Sequence, residues 1–138
     1  MTSPSPQNPR RRVAVTGSSG KLGRTVVAHL AESGYDVLAL DRTRPESPQT
    51  PFVAVDLTDY GQVLEAFSGG VDEHTGPVDA VVHLAAIPAP GLTTNAATFA
   101  NNSAATYNVF AAEIRCMPRR MPSTSTSSGS FGCWIGSL

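Results

Sequence analysis

A doubly wound α/β fold, with a parallel sheet truncated after about four strands, is predicted by three observations on this chain of 138 residues. Short apolar runs alternate with stretches of helical periodicity from residue 12 to about 114. A glycine-rich loop, Thr16-Gly17-Ser18-Ser19-Gly20-Lys21-Leu22-Gly23, joins the first apolar run to the first helical stretch. From Arg115 onward the periodicity stops, and Met121 to Ser130 is nearly all Ser, Thr, Pro and Gly.

Each element has its own signal. Residues 1–11 carry Pro, Ser and other polar residues without periodicity and are expected to form a disordered tail. Val13 to Thr16 is apolar and runs into glycines, as a strand buried on both faces would. Leu22, Val26 and Leu30, with Gly23, Val27 and Ala31 beside them, give one face of a helix. Gly34 suits the left-handed position that ends it. Tyr35 to Leu40 is a second strand stopping at Asp41, and Arg42 to Pro51 is a loop rich in Pro, Thr and Ser.

Phe52 to Val55 is a third strand ended by Asp56. Asp59 caps a second helix, Gln62 completes a capping-box arrangement, and Val63, Leu64 and Phe67 form the apolar face. Gly69-Gly70 closes that helix, and Val78 to Leu84 is the fourth strand. A third helix is expected from Asn95 to about Glu113, with Phe99, Thr106, Val109 and Phe110 facing inward. The division expected is therefore a tail over 1–11, an α/β domain over 12–114 and an atypical low-complexity tail over 115–138.

Composition narrows the function. With 41% hydrophobic and 15% charged residues the chain is an ordinary globular sequence, long enough for one core. A formal net charge of −1 gives no electrostatic attraction to nucleic acid, and Arg10-Arg11-Arg12 reads as a solvated strand start. No apolar run approaches the length of a membrane span. Cys116 and Cys133 are too far apart for a CxxC motif, and with no export signal visible a cytoplasmic location is expected. His29 and His74 lack carboxylate or cysteine partners at metal spacing, so no metal is expected. The oligomeric state is left open.

The glycine loop carries the chemistry. Gly17 allows a tight turn after the strand, Gly20 lets the backbone approach a pyrophosphate, and Gly23 lets the helix pack close to the sheet. Free N–H groups and the positive dipole end at the helix start then hold the phosphate, so Ser19, Lys21 and Leu22 join the three glycines as cofactor-binding residues. Asp41, at the end of the next strand, is placed to accept from the adenosine ribose hydroxyls and to repel a 2′-phosphate. That favours NAD over NADP. Arg42 and Arg44 pull the other way if either pairs with a 2′-phosphate, and are otherwise solvated loop residues. Together these features give the domain a Rossmann-type, dinucleotide-binding character.

The chain resembles the N-terminal cofactor half of the extended short-chain dehydrogenases/reductases, the NAD-dependent epimerase/dehydratase group. Five segments carry the resemblance: Thr16-Gly17-x-x-Gly20-x-x-Gly23, Asp41, Asp56-Leu57-x-Asp59, His83-Leu84-Ala85-Ala86, and Asn102-x-x-Ala105-Thr106-x-Asn108-Val109. It implies that Asp56 and Leu57 meet the adenine ring, unless Asp56 only caps its turn. It implies that Leu84, Ala85 and Ala86 line the cofactor trough. Asn102 would give a structural or active-site hydrogen bond, or only a polar contact between helices. His83 is expected to be a buried, hydrogen-bonded strand residue. The full-length relative would oxidise, epimerise or dehydrate a sugar or nucleotide-sugar.

The chain departs from the family pattern at its catalytic pair. The family uses Tyr-x-x-x-Lys for proton transfer and ribose binding. Here Tyr35, Tyr60 and Tyr107 are followed four residues on by Ala39, Leu64 and Ala111, and Lys21 is the only lysine. No catalytic residue is therefore assigned. Ser127-Ser128-Gly129-Ser130-Phe131-Gly132 echoes the family's serine segment but lacks an apolar strand before it, and is read as coincidence in a serine-rich tail. Three functions stay open: the cofactor fragment of a longer oxidoreductase, a non-catalytic NAD-binding or regulatory module, and a non-functional truncated or frame-shifted product.

Overall fold

The structure, a computed structural model, describes residues 10–69 and 75–116. The expectations for residues 1–9 and for the segment after Cys116, including the absence of a further strand there, lie outside the described residues.

Seven elements follow in the order β1 (Arg12–Thr16), α1 (Lys21–Glu32), β2 (Asp36–Asp41), β3 (Phe52–Ala54), α2 (Tyr60–Ser68), β4 (Ala80–His83) and α3 (Asn95–Cys116). The strands form one sheet in the order β3-β2-β1-β4, with every pairing parallel. The third helix extends to Cys116, beyond the expected domain boundary at residue 114. The fourth strand is shorter than its apolar run, but Val78 just before it is buried in the core.

Strand side chains alternate between two apolar clusters, so the sheet is covered on both faces. Ala14, Leu38 and Leu40 meet Val63, Ala66 and Phe67 of α2 and Ala105, Val109 and Ala112 of α3. Val13, Val15, Val37 and Ala39 turn the other way, toward Val27 of α1, with Val26 and Leu30 at the margin. The period of two along each strand is what feeds both faces at once.

Local signals set the helix ends. Gly34 has φ +87°, its N–H donates to Ala31 O (3.0 Å), and Tyr35 N–H donates to Leu30 O (3.1 Å). This 6→1 and 5→2 pair is a Schellman motif and ends α1 where the glycine predicted. Asp59 caps α2 by accepting from Gly61 N–H (2.9 Å) and Gln62 N–H (3.3 Å). Gln62 does not close a standard capping box. Its Nε2 donates to Asp59 Oδ2 (3.1 Å) and its Oε1 accepts from Asp56 N–H (2.9 Å), which ties the cap to the end of β3. Arg12, last of the arginine triplet, pairs with Asp36 (3.4 Å) and its N–H donates to Asp79 (2.8 Å), so it links the starts of three strands.

Two helix faces differ from expectation. On α3 only Val109 of the four residues expected inward is buried; Phe99 and Phe110 are 74% and 46% exposed, and Thr106 is exposed. The buried stripe is Ala105, Asn108, Val109 and Ala112, because α3 lies against α2 and small residues there allow a close approach. On α1, Leu22 is 62% exposed and Ala31 is exposed too. Leu22 belongs to the first turn, at the end of the strands, where the sheet gives it no surface to cover.

Candidate cofactor site

The site lies at the carboxyl ends of β1, β2 and β4. Chain order reverses there, since β1 leads to β2 on one side and has β4 on the other. A trough of about 270 Å³ opens at this point. Gly17 and Gly20 border it from the loop, Asp41 and Arg42 from β2, and Val55, Leu57 and Thr58 from the turn before α2. Leu84, Ala85, Ala86 and Ile87 follow β4, and Asn101 and Ala105 come from α3.

The three loop glycines do different things. Gly17 has φ +69°, and a Cβ there would lie 2.7 Å from Ala85 N and 2.9 Å from Leu84 C. It is therefore both a left-handed turn and the contact between the loop and the end of β4. A Cβ on Gly23 would fall on the Gly17 carbonyl and 2.8 Å from Ser18 Cα. Gly23 thus lets α1 pack closely against the chain as it leaves the end of β1. Gly20 differs: it has an ordinary extended backbone (φ −68°, ψ 168°), and a Cβ would meet only Gly17 O at 3.3 Å. The backbone dihedrals there suit any residue, but a Cβ would press on the Gly17 carbonyl. The space that Gly20 leaves opens to the trough.

Gly20 is the N-cap of α1 and offers no side-chain cap, and no acidic residue lies in the first turn. Among the described residues the N–H groups of Lys21, Leu22 and Gly23 have no hydrogen-bond partner. Orphan donors at the positive end of a helix dipole are what a pyrophosphate requires. Lys21 and Leu22 are exposed there and do not line the trough.

Asp41 braces the loop from below. Its Oδ2 accepts from Ser19 N–H (3.0 Å) and its Oδ1 from Thr43 N–H (3.2 Å), while Ser19 Oγ donates to Thr43 O (2.5 Å). Each carboxylate oxygen has two lone pairs, so acceptor capacity remains for a ribose. Ser19 is thus a positioner of Asp41 that does not border the trough.

Asp56 is held by its own turn. Its Oδ1 accepts from Thr58 Oγ1 (2.7 Å) and Thr58 N–H (3.0 Å), and these bonds keep its carboxyl below the usual range. Arg42 Nη2 adds an ion pair at 3.2 Å and also reaches Asn101 Oδ1 at 3.4 Å.

Asn102 acts on the loop after β4. Its Oδ1 accepts from Ile87 N–H (2.8 Å) and its Nδ2 donates to Ile87 O (3.2 Å), so one amide replaces a strand partner for Ile87. This is a contact between helix and loop, where a helix–helix contact was the alternative reading. Asn108, buried, donates to Leu57 O (2.9 Å) in the same manner. The two asparagines hold both walls of the trough from one helix.

His83 is half-buried and joined to both neighbours. Thr16 Oγ1 accepts from Leu84 N–H (3.2 Å) and lies 2.7 Å from His83 Nδ1, while His83 Nε2 lies 3.1 Å from Thr106 Oγ1. The pattern suits a neutral ring with the proton on Nε2, and burial pushes its pKa below the ordinary 6.5.

Of the residues expected from sequence, Gly17, Gly20, Asp41, Arg42, Leu57, Leu84, Ala85 and Ala86 meet around the trough. Ser19, Gly23, Asp56 and Asn102 stand one layer behind it. Val55, Thr58, Ile87, Asn101 and Ala105 border it and were not singled out as site residues. Adjacency was the available signal for most of them: Thr58 follows Asp56-Leu57, Ile87 follows Ala86, and Asn101 precedes Asn102.

A parallel sheet with a glycine loop at its switch point and an acidic residue ending β2 defines a Rossmann-type nucleotide-binding protein. The profile of the NAD dependent epimerase/dehydratase family matches residues 13–132, and the chain belongs to that family. The match continues through Ser127 to Gly132, so the family pattern covers a segment that sequence alone reads as coincidence. L-Arabinose 1-dehydrogenase (NAD(P)(+)) of Haloferax volcanii is 35% identical over 116 residues, covering 84% of this chain and 41% of that protein. A short-chain dehydrogenase/reductase superfamily protein from Agrobacterium tumefaciens, solved with bound NAD, is 30% identical with a TM-score of 0.62, covering 77% of this chain and 30% of that one. UDP-galactose 4-epimerase is 32% identical with a TM-score of 0.60, covering 76% and 34%. The chain thus spans less than half the length of each of these relatives. Among the described residues no helix is long and apolar enough to cross a membrane.

Proposed function

We propose that this chain is the NAD-binding part of an epimerase/dehydratase-like oxidoreductase, which at full length acts on a sugar or nucleotide-sugar. One observation carries the reading: the uncapped start of α1, with its unpartnered N–H groups, faces space left free by Gly20 at the edge of the trough. When bound, NAD supplies a hydride acceptor. The chain's own residues bind and orient it: the loop holds the pyrophosphate, Asp41 accepts from the ribose, and Leu57 with Val55 covers the adenine. The sugar reading is supported by relatives named for arabinose and UDP-galactose. The domain is taken as residues 12–116, in a cytoplasmic protein.

A second reading has its own support. No Tyr-x-x-x-Lys pair occurs in the sequence, which favours binding without turnover in this chain by itself. Calorimetric titration with NAD is the test of the common element. Gly20→Val should abolish binding, because its side chain would fill the space at the edge of the trough; urea unfolding of the variant separates this from a stability loss, since the new Cβ lies 3.3 Å from Gly17 O at the N-cap of α1. Equal affinity in the variant would remove the loop from the site. Hydride transfer by this chain with a sugar would remove the second reading.

A further inference from the structure

We propose that Asp56 is a specificity-determining residue: by holding Arg42 across the trough it withholds that guanidinium from a 2′-phosphate and so favours NAD over NADP. The inference rests on the reading of the site as a dinucleotide trough. Arg42 directly follows Asp41, the residue beside which a ribose 2′-position would lie. A free guanidinium at that point would be a ready partner for a phosphate. It is not free. Nη2 is committed to Asp56 Oδ1 at 3.2 Å and to Asn101 Oδ1 at 3.4 Å, so the side chain runs from the end of β2 toward the turn before α2 and the first half of α3.

The acceptor end of this bridge is fixed without Arg42. Thr58 donates twice to the same Oδ1, from Oγ1 at 2.7 Å and from N–H at 3.0 Å. Those bonds hold the Asp56 carboxyl below its ordinary range, and it is ionised at neutral pH as any aspartate is. The carboxylate is thus a standing competitor for the guanidinium. Asp56 acts here through Arg42, as a positioning residue. The two side chains are 61% and 39% exposed, so the competition is modest and shifts selectivity more than stability.

Titration of NAD and NADP into the parent chain, D56N, R42A, D56N/R42A and D56E decides the matter. Asn keeps an Oδ1 to accept from Thr58 but loses the charge. In D56N the NADP affinity relative to NAD should rise roughly two- to five-fold, the range set by one exposed ion pair. The double variant should lose that gain, and D56E should restore the parental ratio. R42A by itself should lower the ratio by less than D56N raises it, since the guanidinium is mostly engaged in the parent. An unchanged ratio in D56N, a gain that survives in the double variant, or a drop in R42A as large as the D56N gain each overturns the proposal. R42A alters an exposed side chain and leaves the Asp56 turn intact, so a several-fold drop there overturns the proposal even where D56N does not fold, and D56A then takes the place of D56N in the comparison. A parent that binds NAD with a ratio insensitive to these changes loses this inference alone. A parent that binds neither nucleotide loses the proposed function and this inference with it.

Discussion

β1 and β4 run side by side in parallel, Val13 opposite Ala80 and Val15 opposite Val82, and are built from similar small and β-branched residues. Their surroundings differ. Val13, Ala14, Val15 and Thr16 are all buried, whereas no residue of β4 is fully buried. β1 has a strand on each side; β4 has β1 alone among the described residues. The helix that follows β4 shows the same asymmetry, with Phe99, Tyr107, Phe110 and Ile114 exposed on α3. The burial of a strand is therefore set by its neighbours in the sheet, and two apolar runs of equal quality end with unequal energetic weight.

Gly17 joins the two regions, and changing it should have the largest effect. Gly17→Ala places a methyl 2.7 Å from Ala85 N, among backbone atoms that cannot move aside, and strains a φ of +69°. The expected loss is about 3 kcal/mol or more in urea unfolding, at the extreme of single substitutions. A neutral result would mean that the end of β4 does not rest on the loop.

Next in size is a matched pair. Val15→Ala should cost about 2 kcal/mol, because Val15 is fully buried beside α1 and its methyl groups leave a cavity. Val82→Ala should cost less than about 1 kcal/mol, since Val82 is only partly buried. Comparing unfolding midpoints of the two variants sharpens the contrast between centre and edge. Equal losses would show that the β4 edge is covered in solution.

The smallest effect concerns pH. His83 has a folded-state pKa below its ordinary 6.5, owing to burial, so it is more readily protonated when the chain unfolds. Its contribution to stability is present above about pH 6.5 and is lost as pH falls through that value toward the folded pKa. His83→Gln should flatten the stability profile over this window, with unfolding followed at pH 7.5 and pH 5.5. An unchanged profile would indicate that the edge strand already admits water to the ring.

The glycine loop was legible in the sequence because its requirements are local. A turn after a strand, a helix start and a close backbone approach each call for glycine within a few residues, and Asp59 and Gly34 mark helix ends by hydrogen bonds spanning one turn. Alternating apolar runs were enough to give the sheet and its two covered faces. The partners of Asp56 and Asn102 were not legible in the same way. Arg42 meets Asp56 fourteen positions away and Ile87 meets Asn102 fifteen positions away, and no periodic pattern encodes such pairs.

The third helix marks the boundary between the two kinds of information. Its existence follows from composition, but its large aromatic residues suggested the wrong inward face. Hydrophobicity says that Phe99 and Phe110 gain by burial; it does not say whether a surface is there to bury them. The sequence by itself determined the order of strands and helices, the glycine turn after β1 and the acidic residue that ends β2. Tertiary structure alone decided that Ala105, Val109 and Ala112 face α2, that Leu22 stands in solvent, and that Arg42 bridges to Asp56 and Asn101. The physical reason is range: caps, turns and periodicity act within a turn or two of chain, whereas burial and ion pairing depend on which distant segments the topology brings within a few ångströms.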